Sequence, residues 1–548
     1  MKRILVALLA FAGLTASAAT PTDAEIRKIL IERIDVQRQS VGIVVGIIEA
    51  NGRRVVAHGA AKPNGDTLFE IGSVTKVFTA LLLADAVQRG EVELDDPVAK
   101  FLPDTVKVPE GGGKRITLQD LATHTSGLPR LPSNFFPKDG SNPYADYTVA
   151  QMYDFLSAYE LQRDAGAQYA YSNFGAGLLG HALARRAGTD YATLMRSRVV
   201  APLSMKDTMI DIPAALKKRL AVGHDAELRP VPNWDVPTLA GAGALRSTVN
   251  DLLAFLAAVL GYTKTPLAPA MSSMLTARKP TGTAGMEIAL GWHVDARPEG
   301  HELVWHNGGT GGYRSFVGFD PKSRTGVVVL SNTSTSAGVD DIGRHLLDPS
   351  LPLLTTPKQA TANPKLYDRF TGNYQLAPGF ILTITRDGDR LFSQATGQPQ
   401  FEIFPKSDRA YFPKAFEALI TFQDDVDGRA PSLTLHQGGR ETLARRFEGD
   451  VPKPKERKEV AVDPAILARY TGRYQLAPTF IISITREENA LFAQATGQPR
   501  FPLFAESERE FFLKVVDAQI TFEVDGTGRV TGLVLHQNGM DQKAARME

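Results

Sequence analysis

Ser73-Val74-Thr75-Lys76 places a hydroxyl and an amine one helical turn apart in this sequence. Residues at i and i+3 share a helix face, so the amine of Lys76 can reach the oxygen of Ser73. A serine is a weak nucleophile until a neighbouring base takes its proton, and a desolvated lysine can be neutral enough to do so. The same serine also reads as an ordinary helix cap, so S-x-x-K alone decides little. Two further clusters follow in order. Tyr171-Ser172-Asn173 lies between a polar, glycine-containing run at 164–168 and a helical pattern at 174–187. Its tyrosine could shuttle a proton near an ammonium, and its asparagine amide could orient lysine and substrate. It also reads as a turn that starts a helix. His306-Asn307-Gly308-Gly309-Thr310-Gly311-Gly312 joins two strand-like runs, 302–305 and 313–319. Glycines there let a substrate backbone approach a strand edge. A phosphate cradle is a poor reading, because a strand pattern follows and not a helix.

These elements must be carried by a sizeable α/β unit. Leu68-Phe69-Glu70-Ile71-Gly72 is strand-like and leads into a helix whose apolar side holds Val77, Phe78, Leu81, Leu82 and Ala84, ending near Gly90. There is no H-E-x-x-H and no G-x-S-x-G, which argues against a zinc protease or a typical α/β-hydrolase. Ten histidines form no close metal-like cluster, and His58, His181, His224 and His345 are isolated. His124 reads as fixing a loop. With no cysteine, the chain has neither thiolate chemistry nor disulfides. A formal charge of +1 over 548 residues gives no electrostatic case for nucleic acid or anionic membranes.

Taken together, the three clusters resemble the serine β-lactamase and penicillin-binding protein superfamily, in its class C β-lactamase-like branch. Ser73/Lys76 stand as S-x-x-K, Tyr171/Asn173 as Y-x-N, and His306-Asn307-Gly308 where class C enzymes carry K-T-G. Leu121-Ala122-Thr123-His124-Thr125-Ser126-Gly127-Leu128 and Leu245-Arg246-Ser247-Thr248 also look like that branch. The resemblance covers roughly residues 25–350. It implies an antiparallel sheet flanked by helices, followed by acyl transfer through a covalent ester on Ser73. Lys76 and Tyr171 would share the general-base work, and Asn173, His306, Asn307 and Gly308 would bind substrate. The backbone N–H groups of Ser73 and Gly309 would form the oxyanion hole. No metal or organic cofactor is implied. The histidine is similar to the H-x-G form of D-alanyl-D-alanine carboxypeptidases, D-aminopeptidases and some esterases, which counts against efficient β-lactam turnover. His306 would hold a substrate carboxylate or tune Tyr171. At the reference histidine pKa of about 6.5, carboxylate binding would fade as pH rises through neutrality.

The expected substrate is a β-lactam, D-amino-acid peptide or ester. The alternatives are a carboxylesterase of the same family and a non-catalytic penicillin-binding sensor. Retention of all four of Ser73, Lys76, Tyr171 and Asn173 favours chemistry. Lys2 and Arg3, the apolar run 4–14 and Ala16-Ser17-Ala18 read as a secretory signal cut after Ala18. The run is too short to span a bilayer, for which about 20 residues are usual. Without cysteine a lipobox anchor is ruled out, and the cleaved signal leads to the expectation of a periplasmic or secreted protein with no transmembrane anchor.

Beyond the catalytic unit the chain repeats itself. Thr371-Gly372-Asn373-Tyr374-Gln375-Leu376-Ala377-Pro378 returns at Thr471–Pro478, and Leu435-His436-Gln437 at Leu535-His536-Gln537, with a constant offset of 100 residues. Short β-branched and aromatic runs (380–385, 418–422, 432–436) alternate with Gly, Asp and Pro breaks, as in small antiparallel barrels or sandwiches. They resemble the lipocalin-like accessory domains of some class C-type peptidases. Gln394, Gln398 and His436 read as turn glutamines and an inward-facing histidine. The expected division is 1–18 signal peptide, 19–355 hydrolase domain, 356–450 and 459–548 barrel-like repeats, with a Pro- and charge-rich linker at 451–458. The repeats should be separable from the chemistry, and could serve as a lid, a homo-oligomer surface or a wall anchor.

Overall fold

The computed structural model describes residues 20–547 except 162, 355–358, 362, 378–379, 397, 399, 415, 417, 425–427, 438–439, 450–456, 458, 478–479, 488–489, 496–499, 514–517 and 538–539. The signal-peptide expectation and nearly all of the 451–458 linker lie outside the described residues. Among the described residues no helix is long and apolar enough to cross a membrane.

The N-terminal part is built on one eight-stranded antiparallel sheet. Its strands run in the spatial order Gly52–Gly59, Gly42–Glu49, Thr325–Ser331, Arg314–Asp320, Glu302–Gly309, His293–Ala296, Met286–Ile288 and Lys279–Pro280. Strand alternation sends successive side chains to opposite faces, and both faces are covered. Val44, Val317, Phe319, Val328 and Leu330 join the larger core, made with the central helices. Ile43, Val45, Ile47, Phe316, Val327 and Val329 instead meet Ile26, Leu30, Ile342 and Leu346, from the helices Asp23–Ile31 and Asp340–Leu347.

The helix Thr75–Gln88 is buried from Thr75 to Ala86, on all sides and not along one stripe. It therefore sits inside the domain, between the sheet and the helices Asn173–Arg186 and Ala240–Gly243. Ser73 lies in the single 3-10 turn Gly72–Val74 just ahead of it. The phrase Leu245–Thr248 is structural. Arg246–Ser247 pairs with Phe69–Glu70 beside the Ser73 turn, and the Thr248 hydroxyl caps the helix Val249–Val259 by accepting from the Asp251 N–H.

The two repeats are closed eight-stranded barrels, Gly372–Phe447 and Gly472–Arg546, each with a short helix ahead of it. The first is sealed by Tyr374 pairing with Arg446, the second by Tyr474 pairing with Arg546. Their interiors are filled by aromatic rings. Phe370 stacks on Phe422 at 4.4 Å and Tyr470 on Phe522 at 4.0 Å between ring centroids. His436 corrects an expectation, because it does not face the core. Leu433 and Leu435 take the inward positions, so His436 falls on the outer face between Thr421 and Glu441. His536 repeats this with Thr521 and Asp541. Gln394 spans a turn, donating to the Gln398 carbonyl.

Removing Phe522 would leave a void beside Tyr470, Tyr474 and Phe511. Phe522→Ala should cost the second barrel about 3–5 kcal/mol. Calorimetry should show a barrel transition moved to lower temperature while that of the sheet domain stays in place.

Candidate active site

Ser73, Lys76 and Tyr171 converge at one end of the sheet. The Lys76 amine donates to the Ser73 hydroxyl at 2.9 Å and to the carbonyl of Ala242 at 2.7 Å. It also lies 5.0 Å from the centroid of the Tyr171 ring. Lys76 is only 3% exposed, and no carboxylate shares the pocket floor with it. Burial therefore drives its pKa well below the usual lysine range, with a further push from the Arg130 charge. Tyr171 moves the other way. Burial raises its pKa, opposed by a hydrogen-bonding interaction with Ser73 and by the Arg130 charge. The pair is thus biased towards a neutral amine and an intact phenol.

The turn that carries Ser73 is pressed against the strand Glu302–Gly309. Gly72 has φ +47°, and a Cβ there would come within 2.7 Å of the Gly309 nitrogen. A Cβ on Gly308 would come within 2.1 Å of the Ile71 carbonyl oxygen. Both positions need glycine, the first also for its left-handed backbone. This close approach brings Ser73 and Gly309 to the same pocket wall. Ser315 ties the strands to the turn by donating to the Ile71 carbonyl at 2.8 Å.

Asn173 opens the helix Asn173–Arg186, whose first turn is capped by the Ser172 hydroxyl. Its amide donates to the Tyr144 hydroxyl at 3.1 Å and not to Lys76, while its buried carbonyl oxygen has no hydrogen-bond partner. That oxygen is an acceptor for an incoming N–H. His124, at φ +56° and fully enclosed, accepts from the Ser172 N–H at 3.1 Å and stacks on Tyr171 at 4.3 Å. It holds the Tyr171–Asn173 turn in place.

His306 is the main correction. Its neighbours Trp305 and Asn307 line the pocket, while the His306 ring, on the face of the strand that Val304 turns to the central helices, is 0% exposed. There it meets the rings of His293 at 5.2 Å and Tyr171 at 6.2 Å, with Nδ1 at 2.6 Å from the Asn307 carbonyl oxygen. Burial, and then the charges of His293 and Lys76, hold its pKa well below 6.5. A neutral ring with no exposed surface cannot clasp a carboxylate as a cation. Its unpartnered Nε2 sits on the Tyr171 side of the site. His293 is likewise lowered by burial, to about 4.

The cavity in front of Ser73 measures about 810 Å³. Beyond the expected residues it is lined by Arg130, Tyr144, Trp234 and Arg314, none of which the motifs disclosed. Arg130 stacks over Tyr171 at 5.1 Å. The Arg314 guanidinium donates to the carbonyls of Thr310 and Tyr313, both at 3.2 Å, close beside Gly309. Asn307 donates to Asp340, whose carboxyl is raised to about 6 by burial.

The beta-lactamase family model matches residues 25–349. The chain belongs to this family of serine hydrolases. A domain of unknown function, DUF3471, matches twice, at 356–448 and 456–548, which are the two barrels. The chain is 30% identical over 383 residues to the D-alanyl-D-alanine-carboxypeptidase/endopeptidase AmpH of Escherichia coli (strain K12), covering 63% of this chain and 97% of the relative. It is 27% identical over 409 residues to penicillin-binding protein 4* of Bacillus subtilis (strain 168), covering 70% and 88%. Among solved structures, the beta-lactamase/D-alanine carboxypeptidase of Yersinia pestis complexed with citrate superposes with a TM-score of 0.53 at 26% identity, covering 61% of this chain and 99% of that one.

The close packing of strand on turn yields a test. Gly308→Ala should keep the fold but push the Ser73 turn off the strand. Reaction of Ser73 with a fluorescent penicillin should slow by about 100-fold, as expected when reacting groups are displaced by about 1 Å.

Proposed function

We propose that this protein is a secreted serine hydrolase that opens amide bonds of D-alanyl peptides or β-lactams through an acyl ester on Ser73. The observation that carries the reading is the buried Lys76 amine, 2.9 Å from the Ser73 hydroxyl and without a carboxylate partner in the pocket. The neutral amine takes the Ser73 proton as Oγ attacks the substrate carbonyl carbon. The developing oxyanion is held by the N–H groups of Ser73 and Gly309, each worth about 3 kcal/mol in such a site. As the C–N bond breaks, the proton passes from Lys76 through the Tyr171 hydroxyl to the leaving nitrogen. Water then attacks the ester by the reverse proton path and frees Ser73.

Substrate is held by groups on the open side of the strand. The free carbonyl oxygen of Asn173 would accept an amide N–H, and the Asn307 and Gly308 edge would run beside the substrate backbone. With His306 neutral, the cations facing the cavity are Arg130 and Arg314, suited to the carboxylate that both substrate classes carry. His306 then acts on Tyr171, through the ring face it presents there. The charged start and apolar run ahead of Ala18 support export to the periplasm or beyond.

Ser73→Ala should abolish turnover of a D-alanyl-D-alanine peptide, a cephalosporin and a short acyl ester alike, with the unfolding transition unchanged. The ranking of the three on the unaltered chain names the substrate class. Intact-mass measurement after penicillin treatment should show one adduct on Ser73. Its absence, together with no peptide hydrolysis, would sink the amide-hydrolase reading. Lys76→Ala and Tyr171→Phe should each lower kcat by more than about 100-fold, and the double variant should lose far less than the product, because the two move one proton.

The pH profile carries a signed expectation. Activity needs Lys76 neutral, so kcat/KM should rise with pH through a pKa well below the lysine reference of 10.5. Arg130 contributes to that lowering, so Arg130→Gln should move the rising limb to higher pH. His306→Gln should not remove a limb near pH 6.5, since the ring carries no proton to lose there.

A further inference from the structure

A buried lysine, Lys414, reaches from the first barrel to the catalytic domain. Lys414, in the connection after the strand Ala410–Pro413, is 4% exposed. Its amine lies 4.0 Å from the ring centroid of Phe404 within the barrel. It then crosses to the other domain, donating to the Arg38 carbonyl at 3.1 Å. The Lys414 carbonyl in turn accepts from the Ser336 hydroxyl at 3.1 Å. A single residue thus ties two segments of the catalytic domain, 38–41 and 331–338, to the barrel.

Those two segments are already bound to each other. The Ser40 and Ser331 hydroxyls lie 2.8 Å apart, Val41 donates to the Thr333 hydroxyl at 2.9 Å, and Thr335 donates to the Gln39 carbonyl at 3.1 Å. The 331–338 segment then runs onto the active-site wall. Ser334 lines the cavity, and its N–H donates to the His224 carbonyl at 2.9 Å. The His224 N–H reaches the Gly312 carbonyl at 3.2 Å, in the glycine run that forms the substrate edge. The path from Lys414 to the cavity is therefore continuous and short.

We propose that Lys414 is a positioning residue, and that the first barrel is a buttress of the substrate-binding wall and not a detachable appendage. The contact acts on the wall and not on Ser73 or Lys76, so it governs how substrate is held more than the chemical step. This replaces the expectation that both repeats are separable. The second copy carries a lysine at the matching position, Lys514, which lies outside the described residues.

The test uses the full chain with Lys414→Met, which keeps the stem over Phe404 but has no donor, and Ser336→Ala, which removes a single hydroxyl. Both should raise KM for the best substrate, Lys414→Met by about tenfold, with kcat within about twofold of the unaltered chain. Amide hydrogen exchange in 331–338 should quicken by at least about tenfold in Lys414→Met. Unchanged KM in both variants, or faster exchange without a change in KM, would overturn the buttress. Should Lys414→Met fail to fold, Ser336→Ala decides alone. A failure of the hydrolase reading would show separately, as no turnover by the unaltered chain, and the exchange measurement then decides by itself.

Discussion

Everything in the catalytic domain is arranged around an amine that has been taken out of water. A lysine inside a protein costs free energy as a cation unless a carboxylate answers it. Here the amine is answered by a hydroxyl and by the carbonyl of Ala242, which are enough to satisfy its hydrogen bonds but not its charge. The consequence is an amine biased towards its neutral form, not a salt bridge. That burial in turn requires the helix Thr75–Gln88 to be enclosed on every side, which explains why it lacks an amphipathic stripe. It also requires a backbone carbonyl delivered from residue 242 beneath Lys76, which the short helix Ala240–Gly243 supplies.

How much of this was legible depends on which atoms do the work. Ser73 and Lys76 could be found because a helical turn fixes their separation from spacing alone, and the barrels because a repeat at constant offset needs no structure to be seen. The Ala242 carbonyl could not be found, since every residue has one and only the fold selects it. Arg130, Tyr144 and Arg314 were hidden for a related reason. They belong to separate loops and strands, and the cavity is where those pieces meet. The barrels appeared as strand runs within a residue or two of their observed limits, but the inward or outward choice for His436 failed. The alternation of Leu433 and Leu435 contained that answer.

His306 shows the same lesson at the site itself. Position in a motif suggested a cation facing substrate, while strand alternation requires neighbours to face opposite ways. Trp305 and Asn307 share one face of the strand, so His306 takes the other, towards Tyr171 and Lys76, where burial strips its charge. A lysine in that place would bring a flexible stem and a charge able to reach the tyrosine. An imidazole brings a flat ring that fits between His293 and Tyr171. The imidazole thus adds no charge beside Tyr171, while the guanidiniums of Arg130 and Arg314 line the cavity.

That shift has a further electrostatic consequence. Two imidazoles, His124 and His306, flank Tyr171, a third, His293, lies against His306, and all three are lowered by burial and add no charge near neutral pH. Lys76 can stay neutral only while its surroundings do not supply a buried anion, and the buried carboxyl of Asp340 is held elsewhere. That carboxyl is committed to Asn307 and lies on the same face of the sheet as the Arg314 charge. The strand Glu302–Gly309 is thus more than a scaffold for the third motif. It is the partition between a charged face, with Asp340 and Arg314, and an uncharged face, with His306 and Tyr171.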